Sequence, residues 1–157
     1  MALKPLRSYD VPAEIGFFCN TTSARGYLAV FDTSAGGGSG EAMDNPNAVV
    51  KILSAEGSAS GTLPAGLLMQ DVVNKDLTQT HVNFQKDEVQ KGSKVVLMTK
   101  GTAVTNAISG TPTVGAKMYY NDLSQFCPSS SANGSIQVGK FLSKLDADGY
   151  AKIKIDV

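Results

Sequence analysis

The chain has 157 residues, 42% of them hydrophobic and 18% charged, a length that corresponds to about one domain with a core of its own. Its 14 basic and 14 acidic residues cancel, which argues against a general nucleic-acid binder, and no apolar run approaches the roughly 18 residues that span a membrane. Gly 16, Ser 15 and Thr 11 supply about a quarter of the chain, and these poor helix formers speak against a helical bundle.

Residues 1–24 read as an extended arm. Pro5 and Pro12 push their predecessors toward extended backbone. Leu3, Leu6, Tyr9, Val11, Ile15, Phe17 and Phe18 are apolar but keep neither helical nor strict strand period. Such a segment cannot bury itself, so it lies on its own domain or on a neighbouring molecule. Its candidate interaction residues are Leu3, Pro5, Leu6, Tyr9, Val11, Ile15, Phe17 and Phe18. A β-rich domain is expected over 25–157.

Within that domain YLAVFD, 27–32, is the first strand, rich in β-branched and aromatic residues. Residues 33–47 form a flexible loop around GGGSG, AVVKILS at 48–54 is the second strand, and GSASG at 57–61 is a further loop. Residues 63–77 fit a short helix or two strands equally well. Residues 79–85 alternate in polarity, KDEVQKG at 86–92 is a polar turn, and KVVLMT at 94–99 is an apolar strand buried on both faces. Lys100-Gly101 is expected to interrupt it before Ala103 to Ala107 resume. A strand through Met118 to Tyr120 follows the turn at Gly110 to Pro112, and 127–134 is loop. A strand over 135–145 carries a bulge at Gly139. DADG, 146–149, makes a hairpin turn, and the last strand sets Ala151, Ile153, Ile155 and Val157 against Tyr150, Lys152, Lys154 and Asp156, one face buried and one wet. Eight to ten short strands and no helix predict an all-β fold, a small β-barrel or β-sandwich with an extended N-terminal arm.

Reactive constellations are absent from the sequence pattern. His81 is the sole histidine, and the serine of a G-x-S-x-G elbow is replaced in GSASG by Ala59. Cys19, Cys127 and His81 match no metal spacing, and no C-x-x-C occurs. The Asp146-x-Asp148-Gly149 start lacks the glycine and glutamate of a calcium loop, having Ala151 and Val157 in their places. GGGSG is followed neither by Lys-Ser/Thr nor by the third glycine of a dinucleotide loop. Asp71 and Asp76 read as solvated loop carboxylates. No catalytic, cofactor-binding or metal residue is nominated, and no enzyme activity is expected. Residues 1–18, with Lys4, Arg7, Asp10 and Glu14, do not resemble a signal peptide, so synthesis in a reducing cytoplasm is expected. The first 80 residues carry −3 and the remainder +3, an asymmetry that suits head-to-tail docking of copies or is ordinary scatter.

The C-terminal half has a cadence of its own: VVLMTKG at 95–101, TVGAKMYYN at 113–121 and QVGKFLSKLDADGYAKIKID at 137–156. A Val-Gly pair precedes a strand twice (Val114-Gly115 and Val138-Gly139), Tyr120-Asn121 closes one, and a Gly-led alternating strand ends the chain. Over residues 63–157 this pattern resembles the β-rich decoration, or cement, proteins of tailed-bacteriophage heads. PAGLLMQDVVNKD, 64–76, is similar to the region preceding the domain in some marine-phage relatives. The resemblance implies a structural protein on the outer capsid surface, a homo-trimer that clamps neighbouring major capsid protein subunits. It implies no nucleic-acid or membrane partner and no cofactor. The alternative is a receptor- or glycan-binding head domain of a fibre or tail, for which Phe126 and Tyr150 are the candidate exposed aromatics.

Overall fold

The computed structural model describes residues 3–4, 13–33, 49–53, 59–71, 88–130 and 134–157. The expected loop at 34–47, the alternating stretch 79–85, His81 and Asp76 lie outside the described residues. Thirteen strands and no helix make up the described secondary structure. They are β1 (Leu3–Lys4), β2 (Ala13–Cys19), β3 (Ser23–Ala24), β4 (Leu28–Phe31), β5 (Val49–Lys51), β6 (Pro64–Asp71) and β7 (Glu88–Val89), followed by β8 (Lys94–Met98), β9 (Lys100–Thr105), β10 (Lys117–Tyr120), β11 (Phe126–Cys127), β12 (Gly134–Phe141) and β13 (Ala151–Asp156). The all-β expectation holds.

Five strands close a barrel in the order β2-β5-β4-β6-β8. All its pairs are antiparallel except β2 with β5, where Phe18 lies beside Val49 and Cys19 beside Val50. A five-strand barrel has room inside only for small or slender side chains. The inner cluster meets that limit with Cys19, Ala29, Val50, Ala65, Leu68, Val95 and Leu97. The second layer is a six-stranded sheet ordered β1-β9-β13-β12-β10-β11. Its inner face packs on the outside of the barrel. Alternation within β4 shows both layers at once: Ala29 points into the barrel, whereas Leu28 and Val30 point out and join Met118, Tyr120, Phe126, Phe141, Ile153 and Ile155 of the sheet. The two layers share one run of chain, because β8 leaves the barrel at Met98 and β9 enters the sheet at Lys100. The interruption therefore falls at Thr99 rather than at Lys100-Gly101, whose two residues pair regularly with Asp156 and Ile155.

Of the segment 63–77, residues 64–71 form one strand and no helix, and 72–77 lie outside the described residues. Adjacent apolar residues confuse a period-two reading, and two register shifts explain them. One, against β4, separates Ala65 from the phase of Leu67; the other, against β8, inserts Met69 between Leu68 and Gln70. Ala65 and Leu68 thereby reach the barrel interior while Leu67 faces the sheet.

The arm boundary expected at residue 24 falls inside the barrel. Ala13–Cys19 is a barrel wall, hydrogen-bonded to β8 on one side and β5 on the other, and Ser23–Ala24 pairs with β7. Of the two partners left open for this segment, residues 13–24 lie on their own domain. Further upstream, Leu3 and Lys4 add an edge to the sheet beside Thr105 and Val104. Cutting the chain at residue 25 would open the barrel.

Gly139 sits where the sheet changes phase. Val138 and Phe141, three residues apart, both point into the core, which requires a slip of one residue between them. Gly139 takes it up with φ 155°, and a Cβ there would collide with the Lys154 carbonyl oxygen and approach Met118 Cε to 2.9 Å. The irregular register of β12 against β10 begins at the same residue. The turn at 146–149 is as expected: Asp146 Oδ1 accepts from the amides of Asp148 (3.0 Å) and Tyr150 (2.7 Å), and Gly149 has φ 80°.

Candidate interaction surfaces

The two layers are joined by polar contacts as well as by the core. The chain after β10 turns back through Ser124, which is fully buried at φ 56°. Its carbonyl accepts from the Leu28 amide at 3.1 Å and its Oγ from the Leu53 amide at 2.8 Å. Asp122 Oδ1 accepts from the Ala59 amide at 2.6 Å. The Tyr120 hydroxyl donates to the Thr62 carbonyl at 2.9 Å, and the Thr105 hydroxyl donates to the Gly26 carbonyl at 3.0 Å. Each bond runs from the sheet side of the molecule to the barrel side. The bonds of Ser124 and Thr105 are buried and those of Asp122 and Tyr120 partly so, which makes them costly to leave unmade and ties the layers into one unit.

The candidate residues of the N-terminal segment separate into three groups. Pro5, Leu6, Tyr9 and Val11 lie outside the described residues. Leu3 and Ile15 occupy strands β1 and β2, opposite Thr105 and Val96. Phe17 and Phe18 are committed to the barrel. Phe18 is buried, with Lys94 Nζ 5.6 Å from the centre of its ring. Phe17 is half-buried and meets Phe31 edge to face at 5.7 Å. The Phe31 amide donates to the Leu63 carbonyl at 2.9 Å, and Leu63 is exposed. Phe17 packs against the inner cluster, in phase with Cys19, while Phe31 and Leu63, joined through their backbones, leave an exposed apolar spot on the barrel, nearer to ordinary surface than to a large docking patch.

Of the aromatics weighed for glycan binding, Phe126 is fully buried in the core and unavailable to a ligand, whereas Tyr150 is half-buried beside the hairpin turn. Asp71 is buried at the end of β6 rather than solvated. Both cysteines are free and buried. Burial pushes both thiols above their ordinary range, only partly offset by hydrogen bonds to Thr21 and to Ser129 respectively. Among the described residues no three His, Cys, Asp or Glu side chains group around a common point, and no helix is long and apolar enough to cross a membrane.

The second exposed surface is the outer face of the six-stranded sheet. β13 alternates strictly, burying Ala151, Ile153 and Ile155 and exposing Lys152, Lys154 and Asp156. The register aligns these with their neighbours. Lys154 lies opposite Lys140 of β12, and Lys140 lies opposite Lys117 of β10, so three lysines form one row across three strands. On the other side Lys152 is opposite Val104, and Asp156 is opposite Lys100 with Oδ1 3.6 Å from Nζ. Beside the row a hollow of about 200 Å³ is lined by Gln137, Gly139, Lys140, Lys154 and Asp156. Sequence reading identified the wet face of β13 but not the row. Its members are 23 and 14 residues apart along the chain, and only the register brings them together.

The described residues thus form an all-β body with two contrasting exposed surfaces, one apolar and one rich in lysine. Comparison of the sequence with protein families supplies its class. No curated protein matches the chain. Residues 18–155 match the model of the XM1 gp53 minor capsid protein family, which takes in β3 to β12 whole, the last two residues of β2 and all of β13 but Asp156. The chain belongs to the XM1 gp53 minor capsid protein family and is a structural capsid protein of a phage.

Proposed function

We propose that the protein is a decoration, or cement, protein. It binds the outer surface of an assembled phage head and clamps neighbouring major capsid protein subunits, acting as a homo-trimer and without catalysis. The observation that carries this reading is the family match over residues 18–155. The tie between the two layers supports it. A clamp must transmit load between two neighbours, and the buried bonds of Ser124 and Thr105, with the partly buried bond of Tyr120, tie barrel to sheet. In this reading the apolar residues between β1 and β2, Leu6, Tyr9 and Val11, supply a capture segment for an adjacent protomer or capsid subunit. Each large apolar side chain buried there contributes about 1.5–3 kcal/mol. Many copies on one lattice add avidity.

The test is quantitative co-sedimentation of the full chain with mature heads of its source phage stripped of this protein. Saturable binding near one copy per major capsid subunit, together with a trimeric mass in solution by light scattering, supports decoration. Saturation at a few copies per particle assigns the protein to a vertex or the tail. A monomeric mass on and off the head removes the trimer from the account.

A further inference from the structure

We propose that the lysine row Lys117–Lys140–Lys154, with Lys152 beside it, is a docking surface for an acidic patch on the capsid shell. This deepens the capsid-binding reading above and rests on it.

The argument starts from self-repulsion. Side chains directly opposite on one face of a sheet have Cβ atoms about 4.5–5.5 Å apart, and like charges so placed destabilise the pair. Here Lys154 opposes Lys140, and Lys140 opposes Lys117. Five lysines (100, 117, 140, 152 and 154) and one carboxylate (Asp156) are exposed on these four strands, and Asp156 is engaged by Lys100 at 3.6 Å. Among the described residues no carboxylate comes within pairing distance of Lys117, Lys140, Lys152 or Lys154. The chain as a whole is neutral, so this is a local excess and not a reflection of composition.

The other face of the same strands is fully committed. Met118, Val138, Phe141, Ile153 and Ile155 are buried against the barrel, so the sheet cannot turn over to relieve the crowding. Within the described strands only Asp156, at the end of the row, offsets this charge, so an acidic partner would supply the remainder. The hollow beside the row, about 200 Å³, is lined by Gln137, Gly139, Lys140, Lys154 and Asp156, and is large enough to admit a carboxylate side chain beside the two lysines.

An acidic protein surface fits this site better than nucleic acid. The row crosses two inter-strand steps of about 4.8 Å each, about 10 Å in all, which matches a few neighbouring carboxylates and is too short to follow a phosphate backbone. The exposed strands contain lysine and no arginine, whereas planar bidentate phosphate recognition favours arginine.

The experiment compares wild type with the triple variants Lys117→Gln/Lys140→Gln/Lys154→Gln and Lys117→Arg/Lys140→Arg/Lys154→Arg, all as full-length chains whose folding is verified by thermal melting. Each is titrated onto stripped heads at about 50 and about 300 mM salt, because exposed charge pairs are screened within a few ångströms at the higher value. The expected result is a loss of affinity of about tenfold or more for wild type on raising salt, a similar loss for the glutamine variant at low salt, and near wild-type binding for the arginine variant. A glutamine variant that binds as wild type does, with the same salt dependence, overturns the lysine surface and leaves the decoration reading standing. Failure of wild type to bind at all overturns both. Retarded migration of duplex DNA by wild type, lost in the glutamine variant, overturns the acidic protein as occupant in favour of nucleic acid.

Discussion

Removing the Ser124 hydroxyl tests whether barrel and sheet are locked together. In Ser124→Ala the Leu53 amide, 2.8 Å from Oγ in a fully buried site, loses its acceptor. An unsatisfied buried amide costs about 1–3 kcal/mol. For a domain of this size each kcal/mol lowers the melting temperature by about 2–4 °C, so a fall of roughly 5 °C is expected. Ser124→Gly separates the hydrogen bond from the backbone. Serine at φ 56° carries a left-handed cost of about 1 kcal/mol that glycine does not. Glycine, however, frees the unfolded chain by about 0.4–1 kcal/mol. The two terms nearly cancel, so Ser124→Gly should fall close to Ser124→Ala and well below wild type. Thermal and urea unfolding followed by near-ultraviolet circular dichroism measure the loss, with tyrosine as the main reporter since the chain has no Trp. Amide hydrogen exchange locates it: Leu53 should lose protection, while Leu28, bonded to the Ser124 carbonyl, should keep it. A Ser124→Ala protein as stable as wild type, or a Ser124→Gly protein more stable, would refute the reasoning.

Two further outcomes follow from local geometry. Gly139→Ala should cost about 3 kcal/mol or more and yield little soluble protein, because its Cβ enters the Lys154 carbonyl; Gly149→Ala, at φ 80° with open space around it, should cost only about 1 kcal/mol, and urea midpoints of the two variants compare them directly. Cys19 and Cys127 should resist iodoacetamide in the folded protein and react on unfolding; because burial raises both thiols, their neutral forms favour the folded state fully below the unfolded value, and stability should decline as pH rises past about 8.5, as melting temperature against pH will report.

The parts of this fold that were legible in the sequence are those set by neighbours in the chain. The alternation of residues 151–156 read directly as a strand with one wet face, DADG as its turn, and Gly139 as the place where the preceding strand slips phase. Long-range pairing was not legible. β2 is a barrel wall because β8, some 80 residues away, bonds along it, and nothing within residues 13–19 announces that partner. Local pattern alone therefore makes the segment look like an arm. Ser124 and Leu53 are 71 residues apart, and a serine in a polar turn carries no mark of the amide it will accept. β6 was ambiguous for a local reason, since two register shifts break its period where Leu67 and Leu68 stand side by side. Each lysine of the exposed row read as ordinary surface. Their alignment is a property of register, which single-strand patterns do not contain.

The most direct test of the account is a cryo-electron microscopy map of the native virion. The decoration reading predicts density for this two-layered body on the outside of the head, at three-fold or quasi-three-fold positions, with the Lys117–Lys140–Lys154 row turned toward the shell. Density on the inner surface, in the tail, or at a single vertex would contradict it.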